Sequence, residues 1–205
     1  LQIPAGEGQT YYFSRRFEPH GMPPDFAVPQ PFTNIIRRMV SGTWAMNRVQ
    51  AGEEGVYFTA IQGSQFVEWE LAEGETVIFD WASFAGVSED AVLSTVISLR
   101  ASSLLLGNLI FPAVTGPGRL ILWTVGRAQC GDDPQTRVSM PSERLIAWNQ
   151  DMNFTVAATP GLVNTYMSGA YIQRAGAGNL VLDADRQGDA KRGLTRFIKH
   201  FLWPV

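Results

Sequence analysis

Leu106-Gly-Asn-Leu-Ile-Phe-Pro-Ala-Val-Thr-Gly-Pro-Gly-Arg-Leu-Ile-Leu-Trp-Thr124 decides how this chain is read. The order is a glycine, a run of large apolar residues, a second glycine cluster, then an apolar strand-like segment. Two weaker copies have the same order. One is Ser41-Gly-Thr-Trp-Ala-Met-Asn-Arg-Val-Gln-Ala-Gly-Glu-Glu-Gly-Val-Tyr-Phe-Thr59; the other is Ser168-Gly-Ala-Tyr-Ile-Gln-Arg-Ala-Gly-Ala-Gly-Asn-Leu-Val-Leu-Asp183. Their last glycines fall at Gly55, Gly118 and Gly178, a period of about 60 residues, and self-similarity at such a period is the signature of a repeated unit. Leu71–Asp80 and Ser139–Trp148 echo each other as well, each a turn that feeds a buried strand.

Outward from that stretch, short apolar or alternating runs are bounded by Gly, Pro, Asn and Asp, the pattern of many short strands. The expected strands are 56–61, 66–71, 76–79, 84–88, 94–99, 109–113, 120–125, 137–140, 145–148, 154–157, 171–174 and 180–184. A unit of about 60 residues cannot cover its own apolar faces, so the copies must pack around a common core. The fold expected is all-β, with three imperfect repeats in residues 32–189 and an approximate three-fold arrangement. Residues 1–31 hold six of the chain's 12 prolines. Because proline fixes φ and removes a donor, this segment is expected to be an extended arm on a surface rather than a sheet strand, presenting Tyr11, Tyr12 and Phe13 to a partner. Phe32–Val40 is expected to form a short helical turn. In residues 190–205, Leu194, Phe197, Ile198, Phe201 and Leu202 recur at helical spacing, and Arg196 and Lys199 lie on the other side. That tail predicts a basic amphipathic helix. Leu194, Arg196, Phe197, Ile198, Lys199, Phe201 and Trp203 are then the residues to meet a partner or an anionic membrane, unless the helix instead caps the β-core.

Composition narrows the function. The 205 residues, 45% hydrophobic and 17% charged, are ordinary for a folded globular chain. A net charge of −3 argues against a general nucleic-acid binder, so no nucleic-acid partner is expected. Cys130 alone permits no internal disulfide, which fits a reducing compartment. No apolar run approaches the roughly 20 residues of a spanning helix. The chain starts at Leu1 rather than Met, which is compatible with loss of a targeting segment.

Residues able to do chemistry are sparse. Gly116-Pro-Gly118 is not a phosphate loop, because proline removes a donor and a strand rather than a helix follows; tight turns account better for Gly55, Gly116, Gly118, Gly176 and Gly178. His20 and His200 fall outside the expected strands, so no metal site is expected. Cys130 reads as an exposed loop thiol without a flanking base. Glu68 and Glu70 flank Trp69, and Asp183 and Asp185 have the same spacing, so each pair shares a face if its segment is a strand. Acids on the wet face of a strand account for both pairs better than general acid–base work does. No catalytic, cofactor-binding or metal-ligating residue is assigned.

The stretch Leu104-Leu-Leu-Gly-Asn-Leu-Ile-Phe-Pro-Ala-Val-Thr-Gly-Pro-Gly-Arg-Leu-Ile-Leu122, with its two echoes and Leu71-Ala-Glu-Gly-Glu-Thr-Val77, resembles the signature of the altered inheritance of mitochondria protein twenty-four family. The resemblance covers about residues 32–185 and rests on turn glycines and core positions. It implies a double-stranded β-helix-like fold, similar to the ring-forming tryptophan RNA-binding attenuation proteins, and brings no catalytic residues or cofactor. It also implies a role in inner-membrane organisation and the stability of membrane complexes, in a cytoplasmic or mitochondrial setting at the periphery of the inner membrane. The function expected is a non-catalytic scaffolding subunit, with protein partners at both ends of the chain and a membrane surface or further copies of itself as additional partners. The alternative is a ring-like homo-oligomer that binds a small ligand or nucleic acid between copies. A third hypothesis is an enzyme using Glu68 and Glu70.

Overall fold

In a computed structural model, the described residues are 2–3, 8–17, 25–27, 46–51, 56–57, 63–97, 110–131, 139–141, 144–157, 171–175 and 178–186. They form strands β1 (Gln2–Ile3), β2 (Thr10–Phe13), β3 (Asp25–Ala27), β4 (Met46–Gln50), β5 (Val56–Tyr57), β6 (Gln65–Leu71), β7 (Thr76–Phe79), β8 (Phe84–Ser88), β9 (Val92–Ile97), β10 (Ile110–Thr115), β11 (Gly118–Thr124), β12 (Ala128–Gly131), β13 (Ser139–Pro141), β14 (Leu145–Asn149), β15 (Asn153–Ala157), β16 (Tyr171–Ala175) and β17 (Leu180–Asp183). A 3-10 turn, Trp81–Ser83, stands between β7 and β8. The fold is all-β, and among the described residues every strand pair is antiparallel.

The strands group into one six-stranded sheet of order β12-β17-β14-β7-β10-β9, a second of order β3-β4-β2-β8-β11-β6, a three-stranded sheet β13-β16-β15 and the pair β1-β5. The two large sheets face each other. The principal core lies between them, with Trp69, Leu71, Phe84, Val87, Leu120 and Leu122 from one sheet meeting Val77, Phe79, Leu93, Val114, Ile146 and Val181 from the other. Phe79 stacks on Phe84 across the layers at 5.1 Å between ring centroids, and Trp81 also stacks on Phe84, at 4.8 Å. These offset ring pairs add to the burial of large apolar surface.

Both sheets are apolar on their outer faces too. On one, Ile78, Phe111, Trp148 and Leu180 form a second cluster, and Phe154 of β15 packs edge-on against Trp148 at 6.0 Å, which ties the three-stranded sheet to that face. On the other, Tyr11, Phe13, Val49, Ala85 and Ile121 form a third cluster, flanked by Phe17 against Phe66 and Trp123. Strands covered on two faces have no wet side, so β8, Phe-Ala-Gly-Val-Ser, is buried at all five positions. At Gly86 in its middle, an added Cβ would collide with the Phe13 ring, 2.6 Å from Cε1 and closer still to Cδ1.

All twelve strands expected from the sequence are present, with ends displaced by a few residues where they are described. The exception is the N-terminal segment. Thr10–Phe13 is not an arm on a surface but a strand paired on both sides, with β4 (Tyr11↔Val49) and with β8 (Tyr11↔Ser88). Its four residues contain no proline and two adjacent tyrosines, which suit a doubly covered strand. Proline density over the whole segment concealed this. Asp25–Ala27 likewise joins the sheet, as the edge strand beside β4. The expected helices at 32–40 and 190–203 lie outside the described residues.

Candidate functional site

The stretch that opens this reading and the N-terminal segment converge at one end of the β6-β11-β8-β2 sheet. Gly118 starts β11 with φ 141°, a conformation open to glycine alone. A side chain there would place its Cβ 2.5 Å from Ser88 Oγ and 2.9 Å from Ala91 Cβ. The next residue, Arg119, donates its backbone N–H to Ser88 Oγ at 2.8 Å, which fixes the start of the strand. Gly178 has nearly the same conformation, φ 138°, and the Asn179 N–H that follows it goes to Asn149 Oδ1 at 2.5 Å. Two of the expected repeat glycines therefore share one local design, while Gly55 and Gly176 lie outside the described residues. Gly116, whose bond to Pro117 is cis, donates to the Glu75 carbonyl at 2.9 Å and so packs its turn against the β6–β7 turn.

Antiparallel register puts Arg119 opposite Glu70 on β6. Its guanidinium bridges both acids, Nη1 to Glu68 at 3.0 Å and Nη2 to Glu70 at 3.5 Å. The two carboxylates do share a face, and Arg119 lies between them. The cation also hydrogen-bonds the Tyr11 phenol, which itself donates to Gln9 Oε1 at 3.1 Å. Burial pushes the Tyr11 hydroxyl above its ordinary value of 10.0, and the Glu68 and Asp90 charges add to the rise while Arg119 opposes it. For Arg119, burial works against the charge, and Glu68, Tyr11 and Glu70 overcome it, so the guanidinium is held more firmly protonated than usual.

An open cleft of 430 Å³ adjoins this cluster, lined by Gln9, Glu70, Leu71, Ala72, Glu75, Gly118 and Arg119. At its floor Glu75 is fully engaged. One carboxylate oxygen accepts from Ala72 N–H at 2.9 Å, and the other accepts from Trp69 Nε1 at 3.3 Å and Asn149 Nδ2 at 2.7 Å. Trp69 belongs to one large sheet and Asn149 to the other, so Glu75 clasps the two layers together. Chemically the cleft offers a guanidinium, an exposed carboxylate at Glu70 and backbone groups, a set that can orient a polar molecule.

A second acidic cluster lies where β17 ends. Asp183 is 1% exposed, not on a wet strand face as its spacing with Asp185 suggests. Its carboxylate accepts from Val125 N–H at 2.8 Å and Gly126 N–H at 3.2 Å, closing the β11–β12 turn, and Asp185 accepts from Arg127 N–H at 2.9 Å. Arg186 reaches Asp80 at 2.7 Å, where Asp80 caps the 3-10 turn by accepting from Ala82 N–H. Cys130 is exposed, but on the edge strand β12 opposite Val181 rather than in a loop. Among the described residues, no group of three His, Cys, Asp or Glu side chains is placed to hold a metal ion.

The structure does not present Tyr11, Tyr12 and Phe13 to a partner, because they are 0%, 5% and 1% exposed within their own chain. Leu194, Arg196, Phe197, Ile198, Lys199, Phe201 and Trp203 lie outside the described residues, as do His20 and His200. Arg119, Gln9 and Glu75 escape sequence reading. The signal for Arg119 is its position as the first side chain after Gly118, but its partners come from β6, some 50 residues earlier, and only the register reveals them.

No family model matches the chain, and no curated protein matches it. Among solved structures it is similar to an X-ray structure of a Streptococcus pyogenes protein from a structural genomics consortium. The two share 15% identity at a TM-score of 0.60, over 95% of this chain and 90% of that one. Likeness at that identity carries the fold alone.

Proposed function

We propose that the protein is a non-catalytic scaffolding subunit that organises a larger, membrane-associated complex. What supports this reading is the use to which the ionisable side chains are put. Arg119 with Glu68 and Glu70 ties β11 to β6, Glu75 clasps the two sheets, and Asp183 closes a turn. Charges of this kind stiffen a framework. The shared design at Gly118 and Gly178 supports a repeated core, and the resemblance of the glycine-rich stretch to the altered inheritance of mitochondria protein twenty-four family agrees with a structural role. Partner contacts are then assigned to the basic amphipathic segment at 190–205. Since β2 is built into a large sheet, deletion belongs at the C-terminal end. Removing residues 190–205 is expected to abolish co-purification of partner subunits from the native source while thermal stability is retained. Undiminished association with every partner sinks the reading.

The cleft beside Arg119 favours a second reading, a homo-oligomer that binds a small polar ligand there. Native mass spectrometry of protein from its own source separates the two: a ligand-free monomer overturns this second reading.

A further inference from the structure

Each large sheet has two edge strands among the described residues, and three of the four edges carry features that discourage another strand. β6 carries Glu68 and Glu70, β3 is three residues long and starts at Asp25, and β12 is four residues long and follows Arg127. Such charges and short lengths are how natural sheets keep their edges from pairing. β9, Val92-Leu-Ser-Thr-Val-Ile97, is different: six residues, no charge, no proline, paired on one side with β10. It also holds two of the three large hydrophobic residues exposed among the described residues, Val92 at 39% and Ile97 at 51%. In its middle the Thr95 hydroxyl oxygen is buried without a hydrogen-bond partner, a costly state for a polar group.

We propose that β9 is a homodimer seam, pairing antiparallel with β9 of a second copy so that two six-stranded sheets become one of twelve. The occupant follows from charge. Self-pairing sets identical strands against each other, and a net charge on the strand would repel its own copy; β9 has none to oppose. The register follows from symmetry. A two-fold axis normal to the sheet keeps every side chain on its own face, and residues directly opposite in an antiparallel pair also share a face. Opposed positions therefore have the same parity, and the axis must pass through a residue. Centred on Thr95, the pairing sets Thr95 against its own copy and Leu93 against Ile97. The exposed Ile97 gains an apolar neighbour, and rotation of χ1 lets the two threonine hydroxyls hydrogen-bond each other.

This seam is separate from the terminal segment on which the scaffold reading rests, so either can fail alone. The test uses the full chain with Cys130→Ser, because Cys130 is an exposed thiol. Light scattering at high micromolar concentration should return the dimer mass. Ile97→Lys, at a half-exposed position that a folded monomer tolerates, should lose the dimer with little change in thermal midpoint. Directly opposed residues in an antiparallel pair have Cα atoms about 4.5–5.5 Å apart, inside the roughly 4.4–6.8 Å that a disulfide spans. Thr95→Cys should therefore link covalently under mild oxidation, and Ser94→Cys should not. A monomeric parent, a dimer that survives Ile97→Lys, or linkage through Ser94→Cys instead of Thr95→Cys overturns the proposal.

Discussion

At the scale of single residues, backbone geometry and buried acceptors dominate. Gly118 combines a φ of 141° with contacts that leave no room for a methyl group, whereas Gly74, φ 76°, faces open space. Gly74→Ala should lose only the left-handed backbone penalty, about 1–2 kcal/mol. Gly118→Ala must also displace Ser88 and Ala91, so chemical denaturation should show a loss of about 3 kcal/mol or more. Equal losses at the two sites would mean that the close approach at Gly118 does not constrain the fold. Asp183 offers a second case. Asparagine keeps the shape but turns an NH2 group toward a backbone donor, so Asp183→Asn should cost about 1.5–3 kcal/mol in the same experiment. The sequence marks Gly118 clearly, since glycine clusters announce turns. It misleads at Asp183, because the pairing with Asp185 matches a solvated strand face, and the donors that hold it come from residues almost 60 positions earlier.

At the scale of elements, β2 is instructive. Tyr11 and Tyr12 point to opposite faces of one sheet, and both hydroxyls are pushed above 10.0, chiefly by burial. The neutral phenol is thus the form that suits the folded chain. Their contribution is complete below the unfolded value near 10 and declines as pH climbs toward the folded values, because the unfolded chain loses its protons first. Urea midpoints measured from pH 9 to 11.5 should fall above pH 10, and Tyr11→Phe should flatten part of that fall. An identical alkaline slope in wild type and variant would count against burial as the cause. Twelve strands are legible as local apolar runs because the strand period is local. β1, β2, β3, β4 and β12 are not, since each is short and lies among prolines, glycines or charges. Arg119 illustrates the same limit for the candidate site: its own strand is readable, but its partners are set by a pairing between strands distant in sequence.

At the scale of the whole molecule, the two large sheets are held by aromatic contact through the middle layer. Phe79 and Phe84 come from different sheets and both are almost fully buried. Phe79→Ala should cost about 3–5 kcal/mol and lower the unfolding of both layers together in a single transition. Two separated calorimetric transitions in the variant would show the sheets to be independent units. The all-β class follows from the density of short runs, whereas the division into two facing sheets depends on which runs pair, and that is decided by packing of both faces rather than by any one segment. The position of β2 has a further consequence. It lies between β4 and β8, and its Tyr12 reaches Glu89, 77 residues along the chain. During synthesis the first of these strands leaves the ribosome long before the last, so an apolar, uncharged segment must wait with at least one edge of its backbone unpaired. Closing so distant a contact is slow. In a growing cell this protein is most exposed to aggregation and to chaperone capture in the interval between the emergence of Thr10 and that of Ser88.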